Sequence, residues 1–327
     1  LYNLYSIYYY SLIRLQLYIL VLLNLILTIK LLYYFYLYLY IIFLFIFIFI
    51  YNSYIIMNIG IIGNGFVGKA TNLLKSKDIN TLIYDINKNL CFPKNLKLKD
   101  LLICDIIFIC VPTPMKKNGE CHINIVENVI KDLNDINYKN FIVVRSTIPT
   151  GTCDKLNVYF MPEFLTEKNY INDFINNKDW IFGLPNNNIE NYKFKKYIIK
   201  LINSAKNNNK IKYNTCYFLT NKDAEMIKMF KNCFLATKVS FCNEMYEYCQ
   251  LKGINYENVR NIVTKDERIG ESHTIVPGPD NKKGFGGTCF PKDINSLKYE
   301  MEKINMKPYI INSVINRNNI DRPEKDW

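Results

Sequence analysis

The pattern of hydrophobic and polar positions divides the chain at Met57. Residues 1–56 are almost wholly Leu, Ile, Tyr, Phe and Asn, and Arg14 and Lys30 are their only charges. Within them, 31–51 is uncharged and long enough to cross a bilayer, while 15–29 is marginal. From Met57 onward, short apolar runs alternate with stretches of helical period. Runs at 57–62, 81–84, 105–111, 141–144, 158–161 and 211–219 predict strands, and the run at 105–111 has the apolar character of a central parallel strand. No Gly or Pro interrupts 221–252, where Met226, Met229, Phe230, Cys233, Phe234, Thr237 and Phe241 recur at helical spacing. A helix of about thirty residues would be ~45 Å long, enough to bridge two domains. Its wide apolar surface predicts burial on more than one side. Residues 291–302 predict a further helix, with Ile294, Leu297 and Met301 on one stripe and Pro291 in its first turn.

Residues 1–56 admit two readings. One is a membrane anchor, in a single span or as a hairpin. The other is a non-native extension. The chain begins with Leu, Met57 stands directly before the first predicted strand, and Leu, Ile, Tyr, Phe, Asn and Lys are the residues that A/T-rich codons supply. The extension is the expectation, and fold reasoning starts at Met57. No cleavage site of small residues follows, which argues against a secretory signal.

Composition narrows the partners. At 327 residues the chain can hold about two domains, and 50% hydrophobic content is ample for their cores. The net charge of +12 suits an anionic partner such as a nucleotide. That charge is diffuse, with no basic run interleaved with aromatics, so no nucleic-acid partner is expected. Ten cysteines form no CxxC pair and the two histidines lie far apart, so no metal site is expected. Scattered thiols in an α/β pattern suit a reducing, cytoplasmic setting.

The loop after the first strand reads Gly63-Asn64-Gly65-Phe66-Val67-Gly68, and Asp85 ends the second strand twenty-two residues after Gly63. A GxGxxG string alone is weak, and a glycine-rich turn in an unrelated α/β unit is its bland reading. Between a strand and a helix, with an acid ending the next strand, it predicts a dinucleotide site. Gly63 allows the turn, Gly65 lets backbone approach a pyrophosphate, and Gly68 lets helix and strand pack closely. Phe66 and Val67 open the helix whose N-terminus faces the phosphates. Asp85, with Lys88 just beyond, would accept ribose hydroxyls and favours NAD over NADP. Polar residues at the ends of later strands lie where open α/β sheets bind ligands. They are Val111-Pro112-Thr113-Pro114, the run from Arg145 to Thr152, and Met161-Pro162-Glu163-Phe164-Leu165-Thr166-Glu167. Thr113 and Thr147 could equally be helix caps.

The stretch Lys283-Gly284-Phe285-Gly286-Gly287-Thr288-Cys289-Phe290-Pro291-Lys292-Asp293 sets Cys289 just before a helix N-terminus, beside Lys292. Dipole and ammonium together favour the thiolate, the nucleophilic form. A lone cysteine is more often buried and inert, and a lone helical lysine such as Lys228 is more often solvated. Lys228 and Asn232, at i and i+4, nevertheless share a helix face.

Taken in order, these segments resemble the UDP-glucose/GDP-mannose dehydrogenase family. The glycine–cysteine string matches its catalytic-cysteine motif. Residues 111–114, 146–152 and 161–167 match its VGTP-, STVPxGT- and NPEFLxEG-like segments, 225–232 its ExxKLxxNxxL pattern, and Arg268-Ile269-Gly270 its RIG segment. Departures are Met161 for the usual Asn, Lys168 for Gly and Trp180 for Arg, and a short 85–111 interval where long members carry an extra strand and helix.

The resemblance implies a Rossmann-type NAD-binding domain at 57–218 and an all-helical central domain at 219–327 whose long helix forms a homodimer. The resemblance stops before the third, uridine-closing domain of long members, so either a naturally short form or a truncated chain is expected. The implied reaction is a four-electron oxidation of UDP-glucose to UDP-glucuronate, with GDP-mannose or another nucleotide sugar as alternative. A non-catalytic nucleotide-binding remnant and a single-step hydroxyacid dehydrogenase are the competing classes. The implied catalytic set is Cys289, Lys228, Asp293, Asn232, Glu163 and Thr147. Implied NAD contacts are Gly63, Gly65, Phe66, Val67, Gly68, Asp85, Lys88, Val111, Pro112, Thr113, Thr147 and Lys292. The sugar nucleotide would meet Glu163, Phe164, Leu165, Glu167, Lys228, Asn232, Phe285, Gly286 and Arg268, the last from a neighbouring subunit. His273 stays outside the chemistry.

Overall fold

The computed structural model describes residues 2–53 and 56–326, and of the side chains before residue 56 those of 14–46. The chain separates into two units at Ile55/Ile56. In the first, α1 (Tyr2–Ser53) is one continuous helix and not a hairpin. Its stretch Arg14–Ile46, of mean hydropathy 2.2, is long and apolar enough to cross a membrane, and its side chains are exposed.

The second unit opens with β1 (Met57–Ile62), α2 (Phe66–Thr71), β2 (Ile79–Tyr84) and β3 (Ile106–Ile109). There follow α3 (Asn124–Asp135), β4 (Phe141–Val144), α4 (Thr152–Leu156), β5 (Tyr159–Phe160), α5 (Tyr170–Ile175) and β6 (Asp179–Leu184). Then come α6 (Asn191–Asn207), β7 (Thr215–Thr220), α7 (Asn221–Leu251), α8 (Tyr256–Val263), α9 (Phe290–Lys303) and α10 (Tyr309–Asp321). The seven strands form one sheet in the order β2-β1-β3-β4-β5-β6-β7. Burial follows position in it. Every residue of β3 is buried, whereas edge strand β2 buries only Ile79, Thr81 and Ile83, at period two. Between β2 and β3 there are only 3₁₀ turns, which accounts for the short 85–111 interval.

The sheet is not parallel throughout. β5 pairs antiparallel with β6 through Phe160 and Gly183, and β6 runs parallel with β7, so the last two strands oppose the first five. The closing strand begins at Thr215, later than the apolar run from Ile211 suggests: Ile211 is buried in the core but lies in the loop before the strand. Trp180, at the position of the family's usual Arg, sits in the core and donates its indole N–H to Tyr213 O at 2.8 Å.

Thr220 caps α7, accepting the Asp223 N–H. Ala224 packs under β6, where the absence of a side chain on Gly183 admits it. Farther along, Cys233 and Ala236 join Phe285, Ile294 and Val314 in a core shared with α9 and α10. The opposite face of α7 departs from the expected two-sided burial. Phe230, Phe234 and Phe241 are 63%, 60% and 62% exposed.

Candidate active site

The glycine turn has the close packing that a dinucleotide fingerprint requires. A Cβ on Gly68 would lie 1.9 Å from Gly63 O, so α2 can approach β1 only without one. A Cβ on Gly65 would meet nothing within 4 Å, which leaves that backbone open to a ligand. Asp85 accepts the Asn64 N–H at 2.8 Å and the Asn87 N–H at 2.8 Å, fixing its carboxylate beside the turn. Phe66 and Val67 are half-buried at the start of α2, and Lys88 is exposed. The loops after β3 and β4 are stitched together. Thr113 Oγ1 donates to Thr147 O at 2.7 Å and Ser146 Oγ to Val111 O at 2.6 Å, with Pro112 left exposed between. These residues fit NAD: an open backbone turn, a held carboxylate for the ribose, and polar strand ends beside them.

The second half of the site is a cluster of ionisable groups. Lys228 Nζ donates to Glu163 Oε1 at 2.7 Å, both side chains sealed from solvent. Asn232 Nδ2, one turn on, donates to Asp293 Oδ2 at 2.6 Å, and Lys292 pairs with the other Asp293 oxygen. Burial pushes the Glu163 carboxyl up. The Lys228 ammonium, its hydrogen bond, the Leu165 N–H and the Arg145 charge together outweigh that, so Glu163 stays below the usual carboxylate range. Burial pushes Lys228 down, but Glu163, Asp293 and Cys289 outweigh it and hold Lys228 above the ordinary lysine value. Both partners therefore remain charged at neutral pH.

Cys289 caps α9 and is half-buried, its Sγ 3.8 Å from Thr288 Oγ1. Here the expected thiolate preference fails. Burial raises the thiol's pKa and Glu163 and Asp293 add to the rise, while Lys228 and Thr288 only partly oppose it. Lys292, the ammonium expected to activate the thiol, is engaged by Asp293 instead.

Other expected residues fall in different places. Phe285 is 5% exposed and its ring lies in the core shared by α7, α9 and α10, not open to a ligand. Its N–H and C=O are both taken by the Asn318 amide, at 2.7 and 2.9 Å. Thr147 is half-buried, and its carbonyl, not its hydroxyl, makes its hydrogen bonds. Phe164 and Leu165 are half-buried and Glu167 exposed on the loop leading to α5. Arg268 is exposed and bonded to Asp266, with no contact to the cluster within this chain. The His273 ring packs at 5.6 Å from Phe290.

The supports of the cysteine loop were not singled out in the sequence. Asn243 on α7 accepts the Gly284 N–H at 3.1 Å. The Arg322 guanidinium lies against Gly286, where a Cβ would come 2.4 Å from its Cζ. Arg322 is itself held by Asp280 and Asp326, both at 2.6 Å. On the other side, Glu225 accepts the Gly151 and Cys153 N–H groups and so ties the turn after Thr147 to the first turns of α7. Burial lifts the Glu225 carboxyl to about 7. The one legible signal was helical spacing: Asn243 lies eleven residues after Asn232, and Asn318 and Arg322 are i and i+4.

A glycine-fingerprint sheet joined to this cluster defines a dinucleotide-binding protein, with NAD the cofactor that its turn and held carboxylate fit. Comparison with known proteins narrows the class. The profile "UDP-glucose/GDP-mannose dehydrogenase family, NAD binding domain" matches residues 87–200, and the family's central-domain profile matches 222–320. A UDP-glucose 6-dehydrogenase of Rickettsia prowazekii is 31% identical over 81% of this chain and 67% of its own length. One of Rickettsia conorii is 34% identical over 70% of this chain and 52% of its own. A UDP-glucose dehydrogenase structure from Pyrobaculum islandicum superposes with a TM-score of 0.69 at 21% identity, covering 81% of this chain and 68% of that one. The chain belongs to the UDP-glucose/GDP-mannose dehydrogenase family. It spans from about half to about two thirds of the length of the curated relatives it matches.

Proposed function

We propose that the chain catalyses the four-electron oxidation of a nucleotide sugar, UDP-glucose to UDP-glucuronate, with residues 57–218 binding NAD and 219–327 completing the site. The observation that carries the reading is the cluster itself. A half-buried cysteine shares an electrostatic environment with a buried Lys228–Glu163 pair and an Asn232–Asp293 pair. Curated relatives named UDP-glucose 6-dehydrogenase support the substrate.

NAD supplies the hydride acceptor for both oxidations. Asp293, through a water, accepts the proton of the sugar's primary hydroxyl. Lys228, held as an ammonium, is the cation beside the developing alkoxide. It and the Asn232 amide are oxyanion donors, each of a kind that contributes ~3–4 kcal/mol when well placed. The Cys289 sulfur adds to the aldehyde carbon while its proton passes to the former carbonyl oxygen, giving a thiohemiacetal; the second oxidation removes that hydroxyl proton and a hydride from the same carbon to leave a thioester. Water then adds to the thioester carbon and the sulfur leaves, with Glu163 and Thr147 positioning that water. The raised Cys289 pKa fits a thiol that ionises late, as the aldehyde arrives beside Lys228.

The exposed Phe230, Phe234 and Phe241 share one face of α7 and suit a second copy of the chain, so we read the working form as a homodimer in which Arg268 reaches the partner's site. The 57–327 portion works in the cytoplasm on this reading. A membrane-tethered form is favoured by one observation, the apolar continuity of α1. The test is NADH formation from UDP-glucose, GDP-mannose and other nucleotide sugars. UDP-glucose should give the highest kcat/KM, and turnover of none of them would reject the reading.

A further inference from the structure

Lys231 lies on α7 one turn beyond Lys228, at the i,i+3 spacing that sets side chains ~5–6 Å apart at Cβ. Its Nζ is 4.1 Å from the centroid of the Phe164 ring, and the Lys228 Nζ is 5.8 Å from the same ring. The two ammoniums thus flank one aromatic side chain on the loop that also carries Glu163. Their circumstances differ. Lys228 is matched by Glu163 at 2.7 Å. Among the described residues Lys231 has no ion pair and no hydrogen bond, only the ring contact. Burial and the neighbouring Lys228 charge push its pKa down, with Asp179 and Glu163 only partly opposing. Lys231 is exposed, so water hydrates its charge; the aromatic face adds only ~0.5–1 kcal/mol and leaves the ammonium free to exchange that water for an incoming anion.

We propose that Lys231 is an anion-binding residue of this site and contacts the diphosphate of the substrate. This rests on the nucleotide-sugar reading and deepens it. A hexose oxidised at its 6-position carries its diphosphate on the opposite side of the ring. With the reacting carbon at Cys289 and Lys228, the phosphates fall one sugar width away, a length comparable with the ~5.4 Å of one helical turn, so a sugar set along α7 would bring them to Lys231. Phe164 then floors the sugar–phosphate junction, and Lys231 does for the anion what Glu163 does for Lys228.

The test is binding of UDP, uridine and inorganic pyrophosphate to the full chain, measured calorimetrically for the native protein, Lys231→Met and Lys231→Arg. A charge-assisted contact implies that Lys231→Met weakens UDP by roughly 10- to 100-fold. Uridine, which lacks the phosphates, should change less than about twofold on the same reasoning. Lys231→Arg should keep most of the affinity, and added salt should weaken the native protein more than Lys231→Met. In turnover, KM for the sugar nucleotide should rise far more than kcat falls. Equal losses for UDP and uridine, or no loss for UDP, overturn the proposal. Pyrophosphate separates it from the parent reading. Native protein that binds pyrophosphate but not UDP, with loss in Lys231→Met, keeps the anion site and rejects the nucleotide sugar. Failure to bind either rejects both.

Discussion

Lys228→Met removes the ammonium while leaving Glu163 buried, and its cost can be worked from the geometry. The two side chains are 3% and 5% exposed and 2.7 Å apart. Breaking a buried pair from one side costs ~3–5 kcal/mol, because the stranded charge keeps its desolvation penalty. Methionine preserves most of the lysine stem, so little of that cost comes from a cavity. The Leu165 N–H and the more distant Arg145 charge remain to Glu163 but do not replace an ammonium hydrogen-bonded to it. At about 2–4 °C per kcal/mol for a unit of this size, Lys228→Met should lower Tm by roughly 6–20 °C. Adding Glu163→Gln neutralises the stranded carboxylate, and the double variant should regain more than half the loss. The pH signature follows from the two directions of shift. Glu163 lies below its ordinary value, so its contribution is present above the unfolded carboxylate pKa and lost as pH falls through the folded one. Lys228 lies above its ordinary value, so its contribution is present below the unfolded lysine pKa and lost as pH rises through the folded one. Calorimetric melts of the native protein, Lys228→Met, Glu163→Gln and the double variant across that range measure both effects. An unchanged Tm in Lys228→Met, or strictly additive losses in the double variant, would refute the buried-pair account.

Three further predictions follow from the same geometry. Alkylation of Cys289 by iodoacetamide, followed by peptide mass analysis, should accelerate with pH beyond the ordinary thiol range. Glu163→Gln should speed it at neutral pH and Lys228→Met slow it, since the first charge raises the thiol pKa and the second lowers it; both variants moving the rate the same way contradicts this. Gly286→Ala forces a Cβ into the Arg322 guanidinium, so it should lower activity at least about tenfold, by the scale of a misplaced reacting group. Arg322→Ala should restore part of that loss in the double variant, and a double variant worse than both singles would sink the packing argument. Glu225, lifted to about 7 from 4.5, binds its proton more tightly in the folded state. Its contribution is thus fullest below the unfolded value and declines as pH rises to about 7. Urea titrations should show that decline in the native protein and not in Glu225→Gln; parallel pH profiles would exclude the assignment.

Six of the seven strands were legible because buried strands are continuous apolar runs, as in Ile106–Ile109, and the glycine turn because Gly68 has no room for a Cβ; β6 (Asp179–Leu184) was not read as a strand. The reversal at β5/β6 was not, since β5 is only two residues and its pairing is a tertiary choice. Helical spacing put Lys228 with Asn232, but nothing local announced that Glu163 would neutralise one and Asp293 engage the other. The thiolate expectation at Cys289 failed for a related reason: helix dipole and Lys292 are local terms, while burial and the Glu163 charge come from elsewhere in the chain. The resemblance put Phe285 at the ligand, yet its ring fills the core that α10 completes.

The central claim is that one cysteine carries a sugar through two successive oxidations. It is tested by the amount of NADH formed from limiting UDP-glucose with excess NAD⁺, for the native chain and for Cys289→Ser. Two NADH per sugar, falling to at most one in the variant, is the predicted result. One NADH per sugar from the native chain, or two from Cys289→Ser, would contradict it.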